Sequence, residues 1–391
     1  MKILAITFSS GLTGGANRSF LMVISALQKI YNDEIHVILP DYGPLNMQLE
    51  RINITYDIVK VGDVGVQLQG DTKDALRRAK ATLQSFSHWF AAFKNYRKFK
   101  DQKFDIVYIN GTNQLFGYYI AKLLGIPFVW HFRGYIKNGS YFGINHKKML
   151  NDKMGKIIVI SKQMQHDIPE YLGIHQDRIE MVHNGLQWKD SLRSSQNRDN
   201  GIHCVQCGRI TGIKGHKDSI NAIRILHERG YKNVYLHIAG LLVSEPGSYG
   251  EELENLVNKY SLDDHVIFEG QVSNMSEFRQ NMNIELMCSV CEPFGRVTVE
   301  GMHSGLVVIG ANTGGTLDII QDGYNGLLYQ QGNAEDLADK IQYVIDNERE
   351  ADEIARNAID FAEHNFTMEQ NVAAIEKILS DRLIDCKKEN S

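Results

Sequence analysis

The sequence lacks the features that mark several protein classes. Nowhere does it approach the ~20 consecutive apolar residues of a membrane helix. The opening run Met1-Lys2-Ile3-Leu4-Ala5-Ile6-Thr7-Phe8 turns polar and glycine-rich at once, short of the roughly 7–15 apolar residues of a signal-peptide core. It reads as a buried first strand. The expected location is the cytoplasm, with attachment to the inner face of the membrane as the closest approach to lipid. A large charge imbalance is also missing, since 42 Lys and Arg face 47 Asp and Glu for a net −5. That argues against general nucleic-acid binding, which usually needs a basic domain, although one segment is strongly basic. Cysteine is scarce, five in all. Cys204/Cys207 and Cys288/Cys291 have the two-residue gap of a zinc site, but each pair extends or follows a strand-like run rather than sitting in a loop-rich ribbon. They read as buried thiols, so no metal site is expected. There is no P-loop and no clean Gly-x-Gly-x-x-Gly, which disfavours a nicotinamide dehydrogenase built from two Rossmann domains. Short repeats and low-complexity tracts are absent too.

What is present is a long alternation. At 391 residues, 43% hydrophobic and 23% charged, the chain is a soluble globular type too long for one ordinary core. Strand-like runs occur at 2–8, 34–39, 106–110, 128–132 and 157–161, with helical patterns between them at 18–29 and 114–124. The composition then turns polar from Gln187 to Gly201, which reads as a linker. A second series follows, with strands at 202–207, 234–239, 265–268, 284–287, 307–309 and 326–328 and helices at 217–228, 249–260 and 334–346. Strands alternating with helices predict parallel sheets. The expected architecture is therefore α/β: two Rossmann-like, doubly wound domains facing across a cleft, at residues 1–186 and 187–391. Residues 366–391 are expected to form a helix packing back on the first domain.

The most informative segment is Cys291-Glu292-Pro293-Phe294-Gly295-Arg296-Val297-Thr298-Val299-Glu300-Gly301, which follows a strand and opens a helix. Backbone N–H groups near Phe294, Gly295 and Arg296 are then directed at a ligand. Glu300 falls about five residues into the helix, some ~7–8 Å along its axis. Two carboxylates at that offset can grip opposite ends of an extended ligand such as a sugar and a ribose. A second segment, Cys207-Gly208-Arg209-Ile210-Thr211-Gly212-Ile213-Lys214-Gly215, offers a planar guanidinium fork and a point charge, a pair suited to a diphosphate. A third, Thr313-Gly314-Gly315-Thr316-Leu317-Asp318, reads as another helix start.

Two glutamates separated by seven residues, with Phe294-Gly295 between them, resemble the hallmark of glycosyltransferase family 4. The resemblance implies the GT-B fold and a nucleotide-sugar donor. Glu300 would accept hydrogen bonds from the donor ribose and Glu292 would lie against the donor sugar. Arg209 and Lys214 would bind the phosphates, with Gly314 and Gly315 nearby. Gln271 and Val272 match the stretch where the family holds the nucleobase. Asp318 departs from the glutamate often found at that place. In the first half, Gly11-Leu12-Thr13-Gly14-Gly15 resembles the family's glycine loop, whose Gly14 and Gly15 would approach donor or acceptor. His131, at the end of a strand in His131-Phe132-Arg133, resembles the family's active-site histidine. His183-Asn184-Gly185-Leu186-Gln187 resembles its Asn-Gly turn at the domain junction, with Gln187 where aspartate is common.

Between Lys73 and Lys103 nine Lys and Arg face only Asp74 and Asp101, and Phe86, Trp89, Phe90, Phe93, Tyr96 and Phe99 interleave with them. Trp89, Phe93 and Tyr96 recur at helical spacing. One reading is an amphipathic helix on anionic lipid, presenting the site to a lipid-linked acceptor. The other is a core-packed helix with a solvated basic face.

By the same resemblance the enzyme retains the donor's anomeric configuration. The chain has no Asp-x-Asp, the usual metal-holding motif of the other main glycosyltransferase fold. The departing diphosphate would instead be met by Arg209, Lys214 and helix N-termini, without metal or cofactor. The acceptor is expected to be a glycan or a lipid-linked molecule, with bacterial surface polysaccharide assembly as the setting. A UDP-sugar is preferred as donor and a GDP-sugar is second. A nucleotide-sugar epimerase of the same shape and a non-catalytic nucleotide-sugar-binding partner are the alternatives. Intact Glu292, Glu300, Arg209 and Lys214 speak against the latter.

Overall fold

Continuous apolar runs such as Ile3–Ile6, every residue fully buried, suit only strands covered on both faces, as in a parallel sheet flanked by helices. The computed structural model describes residues 1–12, 14–143, 145–188 and 201–389. Most of the expected linker, 189–200, and Thr13 of the glycine loop lie outside the described residues.

The chain divides into two units, Met1–Leu186 with Met368–Ser391, and Gln187–Thr367. In chain order the strands are β1 (Lys2–Thr7), β2 (Glu34–Leu39), β3 (Thr55–Ile58), β4 (Val66–Gln67), β5 (Ile106–Asn110), β6 (Phe128–His131), β7 (Ser140–Tyr141), β8 (Gly155–Val159), β9 (Ile179–Met181), β10 (Ile202–Cys207), β11 (Val234–Ala239), β12 (Val266–Gly270), β13 (Ile284–Met287), β14 (Val307–Ala311) and β15 (Leu327–Tyr329).

The first unit holds a seven-stranded parallel sheet ordered β3-β2-β1-β5-β6-β8-β9, with β4 and β7 as a separate antiparallel pair. Its core joins Ile3, Phe20, Ile24, Val37 and Tyr108 with Val372, Ile375 and Leu379 of the C-terminal helix Met368–Glu389. The second unit holds a six-stranded parallel sheet ordered β12-β11-β10-β13-β14-β15. Counted within the unit this is the Rossmann order 3-2-1-4-5-6.

In each sheet the order reverses beside the first strand, between β1 and β5 and between β10 and β13. A crevice opens at the carboxyl ends of strands at such a switch point. The helix starts differ accordingly. Side chains cap the helices Leu115–Leu124 (Gln114), Lys162–Leu172 (Ser161), Tyr249–Lys259 (Ser248) and Ala334–Asp346 (Asn333). Of the four helices that follow the strands flanking the switch points, Leu115–Leu124 is one of those capped, while Gly15–Tyr31, His216–Glu228 and Arg296–His303 start behind Gly14, Gly215 and Gly295, with no side-chain cap. Their positive dipole ends are thus left for a ligand rather than for a neighbouring side chain.

Candidate active site

In the second unit, the segments after β10 and β13 flank the switch point. Lys214 closes the first as part of a 3-10 turn, Gly212–Lys214, and its Nζ lies 2.6 Å from Oε2 of Glu292. The same oxygen accepts from Ser289 Oγ at 3.1 Å. The backbones meet as well: Val290 N donates to the carbonyl of Ile213 at 2.9 Å, and Gln206 Nε2 ties the Lys214 carbonyl down at 2.7 Å. Side chains of Lys214 and Glu292 are 18% and 16% exposed, so solvent reaches the pair and a ligand can too. Arg209, on the same loop, is exposed and is not part of this ion pair.

The Glu292 loop rests on the third glycine segment. Gly315 N donates to the Glu292 carbonyl at 2.7 Å and Thr313 Oγ1 to the Val290 carbonyl at 3.1 Å. A Cβ on Gly314 would lie 2.6 Å from the Glu292 carbonyl oxygen, and one on Gly315 2.6 Å from Cα of Phe294. Only glycine admits that approach. The helix expected after this segment is a single turn, Thr316–Ile319, so its glycines support Glu292 more than they add a dipole. Gly295 takes φ +96 and opens the helix that carries Arg296 and Glu300. Phe294 is buried against Phe366, ring centroids 5.6 Å apart. Gln271 is exposed, whereas Val272 packs with Met275, Phe278 and Val297 on a small core of Val205, Cys207, Ala239, Met282 and Leu306.

Sequence reading missed the partners of Glu300. Arg279 is 3% exposed and Glu285, in the middle of β13, is 0% exposed. Arg279 Nε donates to Glu285 Oε2 at 2.8 Å, and its Nη1 and Nη2 both approach Glu300 Oε2 at 3.4 Å. Burial pushes the Glu285 carboxyl up and Arg279 draws it back down. The signal available was Glu285 itself, the charged residue of an otherwise apolar strand.

In the first unit a cavity of about 110 Å³ at the switch point is lined by Phe8, Ala16, Gly111, Thr112, Asn113, Arg133 and Gly134. Gly14 and Gly15 are exposed at the start of the adjoining helix. Behind the cavity runs a buried polar chain. Asn110 Nδ2 donates to Thr7 Oγ1 at 3.1 Å, and Thr7 Oγ1 to Asn17 Oδ1 at 2.8 Å. Arg133 Nε donates to Asn110 Oδ1 at 3.0 Å, Nη2 to Tyr108 Oη at 3.2 Å, and Nη1 to Asn184 of the Asn-Gly turn. His131 ends β6 and is fully buried. Its Nδ1 lies 2.8 Å from Tyr108 Oη, and its Nε2 has no hydrogen-bond partner among the described residues. Burial, then the Arg133 charge, hold its pKa well below the usual histidine value. The ring is therefore neutral at physiological pH, suited to hydrogen bonding rather than to carrying charge.

The cysteines Cys204, Cys207, Cys288 and Cys386 are buried and unbridged. Among the described residues no three His, Cys, Asp or Glu side chains converge as metal ligands would.

The basic helix spans Asp74–Lys100. It packs through Ala81, Ser85, His88 and Ala92, with Phe99 buried against His36 and Phe104 near its end, and Ser85 Oγ sits 2.6 Å from Tyr119 Oη. His88 Nδ1 accepts from Phe116 N at 3.0 Å, so its other nitrogen carries the proton toward the Gly62 carbonyl at 2.7 Å. The apolar stripe is on the opposite side. Leu76, Leu83, Phe86, Trp89, Phe90 and Phe93 are all exposed, Phe90 by 63%. The core-packed alternative fails for these residues and holds for Phe99, which is fully buried, while Tyr96 is half-buried. No described helix is long and apolar enough to cross a membrane.

Known proteins resemble the chain over both units. The profile of "Glycosyl transferases group 1" matches residues 189–361, and that of "Glycosyltransferase Family 4" matches residues 13–187. An uncharacterized glycosyltransferase of Methanocaldococcus jannaschii is 28% identical over 270 residues, 68% of this chain and 71% of that one. The capsular polysaccharide biosynthesis glycosyltransferase CapM of Staphylococcus aureus is 26% identical over 223 residues, 54% of this chain and 57% of that protein. The match thus spans little more than half of the latter's length. The crystal structure of HepE from Anabaena in complex with UDP superposes with a TM-score of 0.78 at 20% identity, over 97% of this chain and 100% of that one. Two profiles that together run almost end to end, over two sheets of Rossmann type, lead to one conclusion: the chain belongs to the group 1 and family 4 glycosyltransferases, transferases of GT-B fold.

Proposed function

We propose that the protein is a retaining glycosyltransferase that takes a sugar from a nucleoside diphosphate, preferably UDP, and passes it to a glycan or lipid-linked acceptor in bacterial surface polysaccharide synthesis. The observation that carries the donor reading is the Lys214–Glu292 contact of 2.6 Å at the switch point. A diphosphate entering there competes with Glu292 for the ammonium, and the freed carboxylate turns to the sugar hydroxyls. Arg209, exposed on the same loop, adds a forked donor set for the phosphates. The uncapped start of the Arg296–His303 helix supplies further positive potential. The leaving group's charge is met by these groups, and the reading needs no divalent cation. Glu300 accepts from the ribose, and Gln271 and Val272 lie along the base. In the first unit, Gly14 and Gly15 would approach donor or acceptor, and neutral His131 offers its unpartnered nitrogen as a hydrogen-bonding group. The attacking acceptor oxygen bonds the anomeric carbon on the face the diphosphate leaves, and its proton passes to the departing phosphate. The Anabaena relative has also been crystallised with UDP-glucose, which supports a uridine donor here. CapM, named for capsular polysaccharide biosynthesis, supports the setting.

The test is a thermal-shift screen of nucleotide sugars. A true donor should raise the melting temperature by mass action, about 2.7 kcal/mol at 100 times its dissociation constant, and Glu300→Ala should abolish the shift. With that donor, turnover should survive EDTA and yield the retained anomer. An inverted product, or no shift with any nucleotide sugar, would refute the proposal.

The basic helix is proposed to seat the enzyme on an anionic lipid surface. Leu76, Leu83, Phe86, Phe90 and Phe93 follow spacings of seven, three, four and three residues, which puts them on one face. Lys80, Lys94 and Arg97 border it, exposed and without a carboxylate partner among the described residues. An exposed apolar stripe edged by cations fits headgroups and upper acyl chains. Vesicles containing phosphatidylglycerol should pull down the wild type, and Phe86→Ser/Phe90→Ser/Phe93→Ser should remove most of that binding. Unchanged pull-down by the triple variant would rule the idea out.

A further inference from the structure

The Arg279–Glu285 pair makes none of the donor contacts proposed above, and stability alone does not account for it. A buried ion pair loses about as much in desolvation as it gains in attraction, and apolar side chains of similar volume often do as well. Three features connect the pair to Glu300. Both terminal nitrogens of Arg279 approach a single Glu300 oxygen, Oε2, at 3.4 Å. The Arg279 guanidinium is itself fixed from behind by the 2.8 Å bond from Nε to Glu285 Oε2. The residue after Glu300 is Gly301, where a Cβ would come within 2.9 Å of Glu285 Cβ and Cγ, so the helix bearing Glu300 is seated directly on Glu285. The other Glu300 oxygen, Oε1, has Arg296 Nη2 at 3.6 Å, and the side chain is 31% exposed.

We infer that Arg279, clamped by Glu285, is a positioning residue that holds the Glu300 carboxylate ready for the vicinal diol of a nucleotide's ribose; this rests on the donor reading above. One carboxylate oxygen is committed to the guanidinium, which fixes the plane and rotamer of the group. The other accepts from the ribose without first losing side-chain freedom. Glu285 is the anchor: its carboxylate holds Arg279, and its side-chain carbons seat the helix at Gly301.

The readout is the ratio of dissociation constants for 2′-deoxy-UDP and UDP, measured by calorimetric titration of the full chain. The wild type should prefer UDP on the order of tenfold, the worth of a hydrogen bond to a charged group. Glu300→Gln should bring the ratio toward one. Arg279→Met/Glu285→Leu, which keeps volume and removes the clamp, should do the same while still binding both nucleotides through the phosphates. Glu285→Gln, whose amide oxygen still accepts from Arg279 Nε, should keep the wild-type ratio. If the double variant fails to melt cooperatively, Arg279→Lys, which has no fork, replaces it with the same expectation. A wild type without that preference, or a Glu300→Gln variant that keeps it, would sink the donor reading itself. Loss of preference in Glu300→Gln but not in the clamp variants would sink only the positioning role. Equal weakening of both nucleotides by the clamp variants, with the ratio unmoved, would mark Arg279 as structural and overturn the inference.

Discussion

Lys214→Ala should lower turnover by roughly 10²–10³-fold, the loss seen when one preorganised donor to a developing charge is removed. The loop matters here as much as the charge. The Lys214 backbone is held at two carbonyls, its own by the Gln206 side-chain amide at 2.7 Å and the preceding one, of Ile213, by Val290 N at 2.9 Å. Its ammonium therefore needs little reorganisation to meet a phosphate. Removing it has a second consequence, because Glu292 loses the cation 2.6 Å away and presents an unbalanced charge to an anionic donor. Both effects act where the diphosphate gains charge, so kcat should fall more than KM rises. Lys214→Arg keeps the charge but not the reach, and should recover part of the rate. Arg209→Ala, at an exposed side chain with a solvated alternative, should cost less. Steady-state kinetics with the donor identified by thermal shift would decide it. A Lys214→Ala enzyme within about threefold of wild type, far short of that loss, would mean that the phosphates bind elsewhere.

The parallel core was legible because buried strands must be written as apolar runs, and β2, β5, β10, β11 and β13 begin and end where those runs do. The edge was not. Thr55–Ile58 reads Thr-Tyr-Asp-Ile, too short and polar to stand out, and only pairing with β2 makes it a strand. The helix Asp74–Lys100 shows a subtler limit. Its sequence carries two faces able to pack, one of large aromatic residues and one of Ala81, Ser85, His88 and Ala92. Along Leu115–Leu124 the second face wins, because its side chains let the helix approach closely enough for Ser85 to reach Tyr119, and only Phe99 of the aromatic residues is buried with it. Hydrophobicity would have chosen the other face. In the candidate site, Glu292, Glu300, Arg209 and Lys214 were legible as candidates from residue types, spacings and the family resemblance, and the structure pairs Lys214 with Glu292. Arg279 and Glu285 were not, since what matters about them is burial and their link to Glu300, and neither is written in spacing.

Gly215 joins stability to the same chemistry. Its φ of +70 and ψ of 26 put it in the left-handed region, and a Cβ there would stand 1.9 Å from the carbonyl oxygen of Cys288. Gly215→Ala therefore carries two penalties. The backbone conformation costs an L-residue about 1–2 kcal/mol. The overlap with Cys288 cannot be relieved by a side-chain rotation, because the obstacle is backbone at the end of β13, and overpacking of this kind adds about 1–3 kcal/mol. Gly125 separates the two, for it has φ 70 and ψ 27 with nothing within 4 Å of where a Cβ would stand. Gly125→Ala should show the conformational cost alone, while Gly215→Ala should exceed it by the full steric term in chemical denaturation followed unit by unit with hydrogen exchange. The strain has only one easy outlet, which is to push the Gly212–Lys214 turn away from the strand that leads into Glu292. Donor affinity should then fall in Gly215→Ala although no ligand-contacting side chain has changed, and remain at the wild-type level in Gly125→Ala. Equal stability loss at the two glycines would show that the β10 and β13 loops yield to each other, and that the Lys214–Glu292 geometry is not set by their contact.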